Sequence, residues 1–440
     1  MNKWKWILYS LFSLNLGIIL FFWWNSSSNL FSGDVASVTL ALGRICGLLA
    51  VFFILLQFVM RGRAVWVEEV FGLNNLATAH RLNGYLSLSF IISHFLLILT
   101  SYSLITGKNS VEQLIDFITN YDDLFKAFIA LLLFISIVFF SIYIVKRKLK
   151  YETWYYIHLF TYLAILFAWG HQLELGGDFA ANKIFVLYWY LLYAFVFGNL
   201  LFFRFFRQGY LFVKYQFKVA EVVRETNDAI SIYITGNNIS KFKIQPGQFL
   251  ILRFLDKKRW WQTHPFSLSF IPKDNLLRVT IKDEGDFTSE VSKIKKGTPI
   301  LIDGPLGTFT AKSAIKDKFL FIAGGVGITP IRSLIEEIGE LKKDIILIYS
   351  SKTLDMIFKK ELDELSVKYR FIIHYVVTED PRYNGEKGRL DKEKLNRLAP
   401  DFLKRDIYLC GPPAMMENTI RILKNLGVNH ALMHYERFSL

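Results

Sequence analysis

Residues 79–97 read AHRLNGYLSLSFIISHFLL, and residues 157–172 read IHLFTYLAILFAWGHQ. Each is a run of membrane-spanning character with a histidine near either end. His80 and His94 stand fourteen residues apart, His158 and His171 thirteen. At 1.5 Å rise per residue each pair is separated by about 20 Å along its helix, most of the way across a hydrocarbon core of about 30 Å. An ionisable ring at that depth is costly and marks function. The plain alternative is four unrelated polar side chains bonded to neighbouring helices, and the matched spacing weighs against it.

Outward from these two runs, long apolar stretches fill the first half of the 440-residue chain, and a globular pattern fills the second. With 52% hydrophobic residues and 41 Phe, the chain is too apolar for a wholly soluble enzyme. Six spans are expected, at about residues 6–24, 36–60, 79–105, 124–145, 153–170 and 184–206. The first reads as a helix and not a signal peptide, because it is long, Trp-rich and has no small-residue cleavage site. Lys3 and Lys5, Arg61 and Arg63, Lys146 to Lys150, and Arg204 and Arg207 all fall in alternate loops on one side. Asp34, then Glu112 to Asp123, then Glu174 and Asp178 fall on the other. This asymmetry predicts a multi-pass protein of the cell membrane with both termini and the soluble half cytoplasmic. It also accounts for much of the +14 net charge without nucleic acid. Two cysteines, Cys46 and Cys410, exclude a cysteine-ligated iron–sulfur module within the chain.

Spans three and five then run parallel, inside to outside. His80 lies level with His158 near the cytoplasmic face, and His94 with His171 near the outer face. Facing imidazoles at two levels can each ligate one heme iron axially, which predicts two stacked hemes. A zinc or copper pair would instead place its ligands at i, i+3 or i+4. Arg44 and Arg81 are candidates to neutralise heme propionates, or they snorkel. A step of thirteen residues misses the same helix face by about 140°, where fourteen misses by about 40°. Span five is therefore distorted or tilted, or its two ligands approach from different sides.

Residues 211–312 read as short strands around Ala229–Thr235, Phe249–Phe254, Phe266–Phe270, Leu277–Ile281 and Pro299–Ile302, a small antiparallel barrel. From about 313 the pattern becomes strand–turn–helix. Phe319–Ala323 leads into Gly324-Gly325-Val326-Gly327-Ile328-Thr329-Pro330, and strands follow at Ile345–Tyr349, 371–377 and 407–410. Glycines at a helix N-terminus let a pyrophosphate approach the backbone, although Pro330 stands where a dinucleotide fingerprint has its last glycine. The expected domains are a six-helix transmembrane bundle (1–206), an antiparallel barrel (211–312), to which the resemblance set out next assigns FAD, and an α/β nucleotide-binding domain (313–440).

In this order the motifs resemble the ferredoxin–NADP reductase family fused to a ferric-reductase-type membrane domain, most of all prokaryotic members of the NADPH oxidase and ferric reductase superfamily. The resemblance covers nearly the whole chain, and the paired histidines match its heme ligands. It implies that His264-Pro265-Phe266-Ser267 binds FAD, with Phe266 against the isoalloxazine and Ser267 near its reactive nitrogen. It implies that Thr280, Lys282 and Gly285 to Thr288 hold the FAD phosphates, and that Gly304-Pro305-Leu306-Gly307 closes the barrel. Gly324, Gly325, Gly327 and Thr329 match the nucleotide pyrophosphate turn. Cys410-Gly411-Pro412-Pro413 matches the loop beside the nicotinamide. Phe438 resembles the aromatic residue that shields the flavin, though two residues follow it here.

The strand ending in Ser350-Ser351-Lys352 carries no acidic residue for a ribose 2′-hydroxyl. Lys352 and Arg389 suit a 2′-phosphate, so NADPH is expected, with NADH the alternative. The implied cofactors are FAD and two b-type hemes, with electrons passing from NAD(P)H to an outside acceptor. Three outcomes remain open: an oxidase giving superoxide from O2, which the motif set favours; a ferric or cupric chelate reductase; and an electron-transfer subunit feeding a partner. For the first two no protein partner is required.

Overall fold

The computed structural model describes residues 3–147, 151–174 and 177–436. Phe438, Lys148 and Lys150 lie outside them. The chain divides into two units. One takes Met1–Val70 and Asn75–Leu201, the other Phe71–Asn74 and Phe202–Leu440.

The first unit is helical. In chain order it holds α1 (Lys3–Ser27), α2 (Val35–Arg61), α3 (Val65–Phe71), α4 (Leu73–Thr106), α5 (Ser110–Asn120), α6 (Asp122–Arg147), α7 (Tyr151–Glu174), α8 (Gly177–Ala181) and α9 (Lys183–Leu201). The ends are set by local chemistry. Asp34 caps α2 by accepting from the Ser37 N–H at 2.9 Å. Asn109 and Glu112 form a reciprocal capping box on α5. Among the described residues, five helices are long and apolar enough to cross a membrane: Lys3–Ser32, Val35–Arg61, Leu73–Thr106, Asp122–Ile142 and Lys183–Tyr215. Each of the six expected spans falls on a helix, but α7 is not among the five. Its histidines and tyrosines dilute its apolar character.

Two apolar clusters hold this unit. Ile19, Leu48, Phe52, Leu55, Phe185, Trp189 and Tyr193 join α1, α2 and α9. Ala130, Phe134, Ala164 and Ile165 join α6 to α7, with Leu88 and Ile91 of α4 packed against them. Meanwhile Leu132, Phe139, Leu166, Ile184 and Leu191 turn outward. Such an apolar exterior suits lipid and would be a liability in water.

The second unit has two lobes. A short π-helical stretch (Phe202–Phe206) and α10 (Arg207–Tyr215) lead into β1 (Lys218–Thr226), β2 (Ala229–Thr235), β3 (Phe249–Phe254), β4 (His264–Ser267), β5 (Leu276–Lys282), α11 (Asp286–Ser289) and β6 (Ile300–Leu306). These strands form two antiparallel three-stranded sheets, β1-β2-β5 and β4-β3-β6. They enclose one core of Phe217, Ile232, Leu250, Leu252, Val279 and Ile302. Isolated bridges, Lys218 to Pro299 and Leu268 to Val279, link the sheets. The second bridge explains why β4 stops at Ser267 and does not run on to Phe270: at Leu268 the chain crosses from one sheet to the other. Strand β1 was absent from the sequence reading.

The second lobe contains β7 (Lys318–Gly324), α12 (Ile328–Glu340), β8 (Asp344–Ser351), α13 (Lys359–Tyr369), β9 (Ile372–Val377), β10 (Glu386–Lys387), α14 (Lys392–Leu398), β11 (Asp406–Cys410), α15 (Pro413–Asn425) and β12 (Met433–Glu436). All pairs in the sheet β10-β9-β8-β7-β11-β12 are parallel. Separate apolar clusters cover its two faces. From β7 the chain winds outward through β8 to β10, then returns to β11 on the other side. The switch point therefore lies between β7 and β11, where ligands bind in such sheets.

Candidate functional site

Strands β7 and β11 are neighbours in register, Ala323 opposite Cys410, so two tight loops meet at their C-terminal ends. They are pressed backbone to backbone. A Cβ on Gly327 would strike the Cys410 carbonyl, and one on Gly411 would lie 3.1 Å from Gly324 Cα. Backbone packing thus requires the glycine at 327 and favours the one at 411, whatever binds there, while a Cβ on Gly324 would strike the Met415 side chain. Gly325 differs. It has φ +52°, and a Cβ there would meet only open space, the side from which a pyrophosphate can approach the start of α12. Thr329 is buried and its hydroxyl donates to the Val326 carbonyl at 2.9 Å. Cys410 is fully buried, its thiol 3.9 Å from the Glu436 carbonyl. Burial, with the Glu436 carboxylate adding, pushes that thiol well above its usual range. It stays protonated, and what this loop offers a ligand is the backbone beside Pro412. Glu436, which the sequence reading passed over, packs its carboxylate against Gly307.

In the antiparallel lobe, His264 to Ser267 pair with Phe249 to Leu252. The His264 ring stacks on Phe287 at 3.8 Å, and Phe266 lies 6.3 Å from the same ring. Ser267 is buried, and its hydroxyl meets no hydrogen-bond partner among the described residues. A buried unsatisfied hydroxyl costs free energy, and a flavin ring nitrogen is a suitable mate. Thr280 is committed elsewhere: Ser231 and Ser269 hydroxyls lie 2.7 and 3.1 Å from its own. Lys282 pairs with Glu284 at 3.4 Å and Asp228 at 3.6 Å. The Thr288 hydroxyl accepts from the Gly285 N–H at 2.9 Å, fixing the turn into α11. At the edge of the nucleotide lobe, Lys352 is 74% exposed and pairs with Glu379 at 3.4 Å. This acidic neighbour comes from the bend two residues past the end of β9 and was invisible in the local sequence. Arg389 takes part through its carbonyl, which accepts from Lys394 at 2.8 Å.

In the helical unit the four histidines meet as two pairs. The rings of His80 and His158 are 6.1 Å apart between centroids, those of His94 and His171 6.2 Å. Two imidazoles on one metal, each with a bond of about 2.0–2.1 Å and a nitrogen about 1.1 Å from its ring centre, stand about 6.2–6.4 Å apart. Both gaps therefore have the size of one bridging metal centre. Among the described residues no group of three or more His, Cys, Asp or Glu side chains is placed to hold a bare ion.

The surroundings suit axial ligands. His94 Nδ1–H donates to the Gly43 carbonyl at 2.8 Å, which leaves Nε2 with its lone pair. Gly47, one turn along α2, makes room for that ring, since a Cβ there would come within 2.8 Å of it. The Nδ1 atoms of His80, His158 and His171 are buried without a well-formed hydrogen bond, although the Gln57 and Ala168 carbonyls lie near the His80 and His171 rings. Trp154 stacks on His158 at 5.2 Å. The cation near both inner rings is Arg61, read from sequence only as a topology marker. Arg44 lies instead against Gly177. Helix α7 is unbroken from Tyr151 to Glu174, so its two rings leave from different sides, as helical periodicity demands for a step of thirteen.

Three family models match in succession. "Ferric reductase like transmembrane component" covers residues 46–169, which include all but the last of the four histidines, His171. "FAD-binding domain" covers 214–310, and "Oxidoreductase NAD-binding domain" covers 321–421. The parts are those of an NAD(P)H-dependent flavin oxidoreductase carried on a membrane component. The chain is a fusion of the ferric-reductase and NADPH-oxidase type, with a ferric-reductase-like membrane domain followed by ferredoxin-reductase-type FAD and NAD domains. Relatives include an NADPH oxidoreductase of Mycobacterium tuberculosis, 27% identical over 51% of this chain and 60% of that protein. The ferredoxin reductase component of a 3-ketosteroid-9-alpha-monooxygenase of Mycolicibacterium smegmatis is 32% identical over 51% and 65%. A plasma membrane-associated coenzyme Q6 reductase of Saccharomyces cerevisiae is 30% identical over 33% and 48%. The chain thus spans less than two thirds of these relatives. Among solved structures, the FAD/NAD-binding domain of a Vibrio cholerae nitric oxide dioxygenase aligns over 50% of this chain and 97% of its own, with a TM-score of 0.46 and 20% identity.

Proposed function

We propose that this chain is a transmembrane NAD(P)H oxidase, taking electrons from cytosolic NADPH through FAD and two b-type hemes to O2 on the outer face, with superoxide as product. The observation that carries the reading is the pair of imidazole gaps, 6.1 and 6.2 Å, at two levels of the helical unit in a chain that also carries a flavin–nucleotide module. His80 with His158, and His94 with His171, would hold the hemes. When bound in the antiparallel lobe, FAD would supply the conversion of a hydride's electron pair into the single electrons that hemes take.

The protein's own part is placement. Gly325 and the start of α12 receive the pyrophosphate, and Lys352 with Arg389 receives a 2′-phosphate. Ser267 donates to the flavin, and Phe266 lies against its ring. The division into a bundle (1–206), a barrel (211–312) and a nucleotide domain (313–440) belongs to this reading. So do α7 as the sixth membrane crossing and the cytoplasmic placement of both termini.

A second reading has specific support. Relatives are named as reductase subunits or components, and one as a coenzyme Q6 reductase, so the electrons can instead go to a partner, a quinone or a metal chelate. The deciding experiment is NADPH-driven cytochrome c reduction by purified, heme- and FAD-loaded protein, with and without superoxide dismutase. Loss of the signal with dismutase is expected. A signal that persists transfers the assignment to a direct acceptor.

A further inference from the structure

Four charged side chains lie at the seam between the two lobes of the second unit, and the reaction as described uses none of them. Arg278 on β5 donates to both carboxylate oxygens of Glu361 on α13, at 2.6 and 3.0 Å. It also donates to the Ser269 hydroxyl and carbonyl, each at 3.1 Å, and its guanidinium lies 4.4 Å from the centre of the Phe358 ring. Phe358 itself is held at φ +60°, a conformation rare for a bulky side chain. From α12, Arg332 donates to Glu361 at 3.0 Å and pairs with Glu336. Glu336 reaches back across the seam to accept from the Ile271 N–H at 3.3 Å. Arg278, Arg332 and Glu336 are buried. Burial opposes the charge on Glu361, yet the two guanidiniums hold its carboxyl below the usual range.

A buried ion network of this kind contributes little net stability, because desolvation offsets the attraction. What it does supply is one arrangement. The fork of an arginine on a carboxylate has a fixed geometry. Helix α12 begins at the Gly325–Gly327 turn, so whatever fixes α12 also fixes the pyrophosphate site relative to β4 and β5. Hydride transfer is steeply sensitive to such placement: an error of about 1 Å can cost on the order of 100-fold in rate.

We propose that Arg278 and Glu361 are positioning residues for hydride delivery, clamping the nucleotide lobe to the antiparallel lobe so that the nicotinamide meets the flavin in register. The proposal rests on the flavin and nucleotide reading of these lobes. The test uses the full chain, FAD-loaded in detergent, with single-turnover bleaching of the flavin at saturating NADPH. Three variants are compared: Arg278→Lys, Glu361→Gln, and the apolar double variant Arg278→Met with Glu361→Leu. The double variant should keep its FAD and its KM for NADPH while its flavin-reduction rate constant falls about 10- to 100-fold, with Arg278→Lys in between. A mere loss of folded protein would lower the amplitude and leave the rate constant alone. Parent-like rate constants in the variants that fold overturn the clamp. Failure of the parent chain to bleach with NADPH overturns the underlying reading instead.

Discussion

The imidazole rings of His94 and His171 lie 6.2 Å apart with 35° between their planes, and a hydrogen bond from His94 to the Gly43 carbonyl fixes which nitrogen faces the gap. His80 and His158 repeat the relationship at 6.1 Å and 62°. Because each gap is framed by its own two rings, the proposed heme levels are separable. His94→Ala or His171→Ala should lower the heme content from about two to about one per chain, read by reduced-minus-oxidised spectra. NADPH-driven bleaching of the flavin should continue, while reduction of the outside acceptor falls to background. Loss of both hemes, or of neither, counts against the assignment.

The glycine turn separates packing from binding. Gly327→Ala drives a Cβ into the Cys410 carbonyl and should destabilise the lobe by about 1–3 kcal/mol. Gly325→Ala meets no atom, but at φ +52° it carries a left-handed penalty of about 1–2 kcal/mol and puts a methyl where the pyrophosphate approaches. Thermal unfolding should therefore rank Gly327→Ala below Gly325→Ala. The KM for NADPH should rise in the Gly325 variant even at temperatures where it is fully folded.

Cofactor choice should turn on the exposed Lys352–Glu379 pair. Lys352→Ala should raise the KM for NADPH by about 2- to 5-fold, the modest effect of one solvent-screened charge, and leave that for NADH unchanged. Glu379→Gln frees the ammonium and should shift the preference further toward NADPH. Equal effects on both nucleotides would remove Lys352 from the 2′-phosphate site.

What the sequence disclosed follows from distance along the chain. The histidine pairs were legible because an ionisable residue in an apolar run is rare and helical rise converts spacing into depth. The strand–turn–helix at Phe319–Pro330 was legible because it is local. Arg278 and Glu361, 83 residues apart, were not, since only the folding of two lobes together joins them. Glu379 escaped for the same reason: it reaches Lys352 from the bend that follows the neighbouring strand β9. Strand β1 was missed because four charged residues interrupt its alternation, and β10 and β12 because they have only two and four residues.

Cys410 gives the last prediction, a dependence of stability on pH. Burial first, then the Glu436 carboxylate, raises its folded-state pKa well above the ordinary thiol range. The unfolded chain therefore releases this proton at lower pH than the folded one. Below about pH 8.5, near the unfolded thiol's own pKa, both states hold the proton and the full contribution is present. Above it the unfolded state binds fewer protons, and stability declines as pH rises toward the folded value. Urea midpoints taken at pH 8, 9 and 10 should fall for the parent chain. They should fall less for Cys410→Ala, which keeps a small apolar residue at the site without the titrating group. The same burial predicts that Cys410 in the native chain resists alkylation until denaturant is added. Identical pH slopes for parent and variant would show that other groups carry the alkaline loss.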